Sequence, residues 1–246
     1  MTAIGALEIL NASCSPSCQT DQSQLGSALF EVQVVSERGE PVKFTNGIIL
    51  YPSHSISEVK PDIIVVPALG QEPDTTLKRN QVYVDWVSQS YNRGSHVASM
   101  CTGAFVLGAA GLLDGKRATT HWFFAKEFKR RFPRVDLREQ QLIVDEGDIV
   151  TCGAVTAYLN LMIYLVEKYF GHDIALRTAK MYLIDMDRPS QLPFQIHRFP
   201  VTYSDGSITR AQEFIGEHFK EDLTIDDVAI SRDINKCEIT RWNKGA

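Results

Sequence analysis

Short apolar runs alternate with longer stretches of helical periodicity along most of the chain. Phe30 to Ser36, Asp62 to Pro67 and His96 to Met100 read as strands, rich in β-branched and apolar side chains. Between and after them, Asn80 to Tyr91, His121 to Arg131, Ala154 to Phe170 and about Asp173 to Asp185 carry apolar residues at helical spacing. Asn92-Arg93-Gly94 closes the first of these helices and Pro133 halts the second. Leu142 to Asp145 and Ile149 to Cys152 flank Glu146-Gly147-Asp148 as a hairpin would. Such alternation predicts a doubly wound α/β sheet. The run Asp62-Ile63-Ile64-Val65-Val66-Pro67 is so uniformly apolar that it predicts a central strand covered on both faces.

The pattern lapses at Asp187-Arg188-Pro189-Ser190-Gln191-Leu192-Pro193-Phe194, which has two prolines and no periodicity. It resumes after Ser204-Asp205-Gly206 as three helical stretches, Ile208 to Phe219, Thr224 to Ala229 and Asn235 to Trp242. Thr224 with Asp227, and Asn235 with Glu238, are spaced as capping boxes that mark two helix starts. The expected organisation is therefore a body over 1–187, a linker over 188–205 and a small all-α segment over 206–246. Two short helices after a longer one fit a helix-turn-helix, and equally an α-hairpin packed on the body.

Composition narrows the function classes. A chain of 246 residues, 44% hydrophobic, is long enough for one sizeable α/β core and an appendage. No stretch has the length of a membrane span and no secretory leader follows Met1, so a cytoplasmic protein with no membrane partner is expected. Five scattered cysteines, an odd number, point to reduced thiols. Cys14 and Cys18 have no second Cys or His pair at ligand spacing, so no metal and no cofactor is expected. A net charge of −5 favours no broad nucleic-acid surface but permits a local basic face.

The candidate chemistry lies where the strand His96 to Met100 meets Cys101-Thr102-Gly103-Ala104. Ser99 and Gly103 flank Cys101 as small residues flank the nucleophile of a strand-to-helix elbow. A helix start beside Cys101 would favour its thiolate, and the Thr102 N–H could face an oxyanion. The plain alternative is a small buried cysteine in a tight turn.

Together with Gly111-Leu112-Leu113-Asp114-Gly115-Lys116-Arg117-Ala118-Thr119-Thr120-His121-Trp122, this segment resembles the PfpI-type, class I glutamine amidotransferase-like superfamily. Within it, the resemblance is to the sensor domains of AraC/XylS-type transcriptional regulators, whose first helix-turn-helix is matched by Leu223-Thr224-Ile225-Asp226-Asp227-Val228-Ala229. The resemblance implies a flavodoxin-like fold and a small-molecule pocket formed by Cys101, Thr102, Ala68, Leu69, Gly70 and His121. It also implies a DNA-reading helix from Asn235 with Lys236, Arg241 and Lys244 as contacts, and a homodimer on operator DNA.

Departures from the family pattern matter at both ends of the chain and at the site. The chain starts inside the loop that follows the family's first strand, and it stops after one helix-turn-helix of two, so a fragment is expected. A missing central strand would leave its neighbours with unpaired backbone groups. The family's acidic partner of the cysteine falls on Thr2, whose hydroxyl is no acid or base near neutral pH, while Glu8 lies more than a turn away. Ala68 and Leu69 replace the glycines of a Pro-Gly-Gly loop whose N–H groups line the family's pocket. The expected function is a transcriptional regulator with a non-catalytic sensing pocket. The rivals are a hydrolase or hydratase using Cys101, with His121 as a possible dyad partner, and a redox sensor that oxidises Cys101.

Overall fold

In the computed structural model the described residues are 2–13, 29–44, 47–194 and, further along, 210–211, 214–215, 217–218 and 224–232. The chain divides into one unit over Met1–Gln195 and another over Ile196–Ala246. In the first unit the strands are β1 (Val35–Ser36), β2 (Val42–Lys43), β3 (Ile49–Leu50), β4 (His54–Ser55), β5 (Ile63–Val66), β6 (His96–Met100), β7 (Arg117–Ala118), β8 (Asp136–Leu137), β9 (Ile143–Asp145) and β10 (Ile149–Cys152). The helices are α1 (Thr2–Ser13), α2 (Pro73–Arg79), α3 (Gln81–Asn92), α4 (Ala104–Ala109), α5 (Ala125–Arg131), α6 (Tyr158–Phe170) and α7 (His172–Met181).

The main sheet has the order β5-β6-β10-β9, parallel except for the hairpin partner β9. Side chains of β6 alternate between two cores, as the period of a strand requires. Val97 packs with Ile64, Val87, Phe105, Leu107 and Phe128 against α3, α4 and α5. Ala98 and Met100 pack with Ile9, Val150, Cys152, Leu161 and Val166 against α1, α6 and α7. Helices thus cover both faces, which is the doubly wound arrangement the alternation predicts.

One expectation is overturned. The run Asp62 to Pro67, expected as a central strand, forms β5, which among the described residues lies at the edge of the main sheet. Its side chains alternate in burial, Ile64 and Val66 buried and Ile63 and Val65 half-buried. Neighbouring Phe30 to Ser36, expected as one strand, ladders only at Val35–Ser36, and there with β4 in a separate parallel pair. Among the described residues nothing ladders with the outer edge of β5.

The first residues of the expected linker are bonded to the first unit. Pro189 O accepts from Leu142 N–H at 3.0 Å, Gln191 N–H donates to Gln140 O at 3.0 Å, and Ser190 Oγ donates to the same carbonyl at 2.8 Å. Backbone groups beside two prolines find partners on the body, so residues 188–194 form a strap along the first unit. In the second unit, Thr224 caps the helix Ile225–Arg232 through the capping box read from the sequence: Thr224 N–H donates to Asp227 Oδ2 at 2.8 Å, and Asp227 N–H to Thr224 Oγ1 at 3.3 Å. Ala211 and Val228 are buried together beside Phe214. Lys236, Arg241 and Lys244, the second capping box, Cys14 and Cys18 lie outside the described residues.

Candidate functional site at the strand-to-helix elbow

Parallel pairing on both sides fixes β6 and delivers Cys101 to its carboxyl end, where open α/β sheets bind ligands. A three-residue 3₁₀ turn, Cys101–Gly103, joins β6 to α4. The reversal forces Cys101 to φ +54°, a left-handed conformation that L side chains rarely adopt. Gly103 explains how the turn fits: a Cβ there would lie 2.6 Å from Val66 O and 2.7 Å from Pro67 O. Ser99 is fully buried and its hydroxyl has no partner among the described residues. The elbow read from the sequence is therefore built, with backbone strain at its cysteine.

Its electrostatics do not favour a reactive thiolate. Cys101 is 4% exposed. Burial raises its pKa above the ordinary value, and the Thr102 N–H and hydroxyl offset this only in part. No carboxylate or imidazole acts on the thiol among the described residues. Cys152, on the adjacent strand opposite Met100, is also buried and its thiol is pushed further up by burial and by Cys101.

The loop Pro67 to Gly70 does come to the elbow, but its donor is used. Leu69 N–H donates to Thr102 Oγ1 at 2.9 Å, and Thr102 Oγ1 lies 3.4 Å from Gly70 O as a weak donor. One N–H of the loop that could line an oxyanion hole is thus committed to a side chain of the protein. Ala68 and Leu69 are half-exposed, and Gly70 is exposed.

His121 stands one residue from the site. Its Nδ1 accepts from Phe123 N–H at 3.1 Å, which caps the 3₁₀ turn Trp122–Phe124 and leaves the ring proton on Nε2. Burial lowers its pKa below the usual histidine value, so the neutral ring dominates. Its neighbour Thr120 makes the closer contact, donating from Oγ1 to Cys101 O at 3.0 Å. Thr120 and its supporting residues Thr119, Thr151 and Gln191 were not singled out from the sequence. Thr119 and Thr120 stood inside the quoted motif, whereas nothing in the local pattern marks Gln191. Glu8 is exposed, and its carbonyl accepts from Tyr182 OH. Among the described residues no cluster of His, Cys, Asp and Glu could hold a metal ion.

The DJ-1/PfpI family model matches residues 20–168, a stretch that contains β5, β6, the elbow and the Thr119-Thr120-His121 segment. The chain belongs to the DJ-1/PfpI family. It is 28% identical over 163 residues to the HTH-type transcriptional regulator CdhR of Pseudomonas aeruginosa, covering 66% of this chain and 48% of that protein. It is 30% identical over 166 residues to an isonitrile hydratase of Pseudomonas putida, covering 67% of this chain and 68% of the enzyme. With the HTH-type transcriptional regulator GbdR of P. aeruginosa the identity is 21% over 220 residues, 88% of this chain and 58% of the regulator. The chain thus spans about half the length of the curated regulators it matches. Among solved structures, DJ-1beta of Drosophila melanogaster superposes with a TM-score of 0.61 at 19% identity, over 75% of this chain and 91% of that one, and shows the shared fold.

Proposed function

We propose that this chain is the sensing portion and the start of the DNA-binding portion of a ligand-responsive transcriptional regulator. The observation that carries the reading is the closed elbow: Cys101 is buried, its thiol pKa is raised, and the Leu69 N–H is held by Thr102. An elbow in this state lacks a poised nucleophile, and one N–H of the neighbouring loop is not free for an oxyanion. The similarity to GbdR supports the second half of the reading, because a match that covers 88% of the chain is longer than the first unit, Met1–Gln195.

In this reading the effector sits at Cys101, Thr102, Ala68, Leu69, Gly70 and His121. Residues 206–246 belong to a helix-turn-helix domain whose Lys236, Arg241 and Lys244 contact operator DNA. The protein works in the cytoplasm as a homodimer on a two-fold site. Effector and DNA affinities are linked reciprocally. The test is DNA binding by the whole natural protein, measured by fluorescence anisotropy on DNA from upstream of its own reading frame. Cys101→Ala is expected to leave the affinity within about twofold while altering effector response.

The 30% identity to isonitrile hydratase favours a second reading, an enzyme in which Cys101 attacks an electrophilic carbon. Consumption of an isonitrile by the native chain, abolished in Cys101→Ala, would establish that reading and remove the first.

A further inference from the structure

Gln191 is fully buried, although it belongs to a segment without helix or strand. Its Nε2 donates to Glu139 O at 2.8 Å and Thr120 O at 2.9 Å, with Thr119 Oγ1 at 3.3 Å and Gln141 O at 3.4 Å. Its amide lies flat on Gly153, where a Cβ would come within 2.6 Å of Oε1. That Oε1 is buried without a partner among the described residues. Insertion is therefore a compromise: one end of the amide is richly bonded and the other has lost its water. A side chain held on such terms has a released state within reach.

The insertion joins two parts of the chain. Thr120, whose carbonyl receives Nε2, is the residue whose hydroxyl donates to Cys101 O at 3.0 Å. Gln191 also ties down Pro189 to Gln191, after which the chain continues into the second unit at Ile196. One residue, Thr120, thus stands between the elbow and the strap.

We propose that Gln191 is a latch that reports the state of the Cys101 pocket to the chain leading into the second unit. With the elbow closed, the amide is inserted and the strap is held. A group that enters beside Cys101 displaces Thr120, withdraws an acceptor of Nε2 and frees the strap. The biological trigger rests on the sensing role proposed above. The latch itself is testable without DNA or effector.

The experiment uses the full chain with Cys14, Cys18 and Cys237 changed to serine, so that Cys101 and the fully buried Cys152 remain. Iodoacetamide places a small uncharged group on Cys101, peptide mass spectrometry confirms the site, and hydrogen exchange is followed at the Leu142 and Gln191 amides. Labelling is expected to speed exchange at both by tenfold or more. Gln191→Met, which keeps the length but donates nothing, is expected to show the fast exchange before labelling and no further rise after it. Gly153→Ala, whose Cβ would lie 2.6–2.7 Å from Oε1, Cδ and Nε2 and so push out an unaltered Gln191 side chain, is expected to behave likewise. Unchanged exchange on labelling, or full protection in both variants, overturns the latch. Should a variant loosen β6 and β10 as well, the labelled parent decides alone. A latch that works in a protein whose DNA affinity ignores every effector refutes the regulator and leaves the latch standing.

Discussion

At the scale of single residues, the site is a contest between a strained backbone and a buried thiol. Cys101 sits at φ +54°, where a side chain costs about 1–2 kcal/mol relative to the right-handed region. Cys101→Gly is therefore expected to be about 1 kcal/mol more stable than Cys101→Ala, since both lose the thiol and only glycine loses the strain. Chemical denaturation of the two variants checks this, and equal stabilities would mean the turn is not strained. Because burial holds the thiol above its ordinary value of 9.0, alkylation of Cys101 should be slow at neutral pH and still climbing past pH 9. A rate plateau reached by pH 8 would point to an activated nucleophile and to the enzyme reading. His121 titrates with the opposite sign. Its folded pKa lies below 6.5, so the unfolded chain takes the proton first and stability falls as pH drops through 6.5. The fall should vanish in His121→Asn if this ring is its source, as pH-dependent denaturation midpoints would show.

At the scale of elements, the elbow depends on close approach, and the sheet, among the described residues, ends at β5. Gly103→Ala would drive a Cβ into two backbone oxygens of the β5 end, and neither can swing aside as a side chain could. A destabilisation of about 2 kcal/mol is expected, with a fall in Tm of roughly 4–8 °C by calorimetry. The edge of β5 has its own signature. His96 N–H donates to Asp62 O, and the parallel alternation then turns the backbone of Ile64 and Val66 toward β6 and that of Ile63 and Val65 outward. Amide exchange should accordingly be faster at Ile63 and Val65 than at Ile64 and Val66. Equal protection of all four would show that another strand covers this edge in solution.

At the scale of the whole molecule, the strap decides where the first unit ends. A chain cut after Asp187 loses the bonds of Pro189, Ser190 and Gln191 to Leu142 and Gln140, whereas one cut after Gln195 keeps them. The longer piece is expected to melt higher by several degrees, because each buried backbone group left unpaired costs about 1–3 kcal/mol. Identical melting of the two pieces would return residues 188–194 to the linker expected from their sequence.

Residue pattern alone determined the alternation of strands and helices, the hairpin around Gly147, the capping box at Thr224 and the elbow at Cys101. All of these are local: each rests on periodicity or on a turn residue a few positions away, and such signals survive in a linear string. Tertiary structure decided the rest. Whether β5 is central or at an edge depends on which strand lies beside it, and an apolar run carries no record of its neighbours. The same holds for the thiol of Cys101, whose pKa is set by burial, and for the Leu69 N–H, whose partner is Thr102 from 33 residues away. Gln191 is the extreme case. Its prolines and missing periodicity read as a solvated linker, and only packing against Gly153 and the carbonyls of Thr120 and Glu139 puts a polar side chain in the interior.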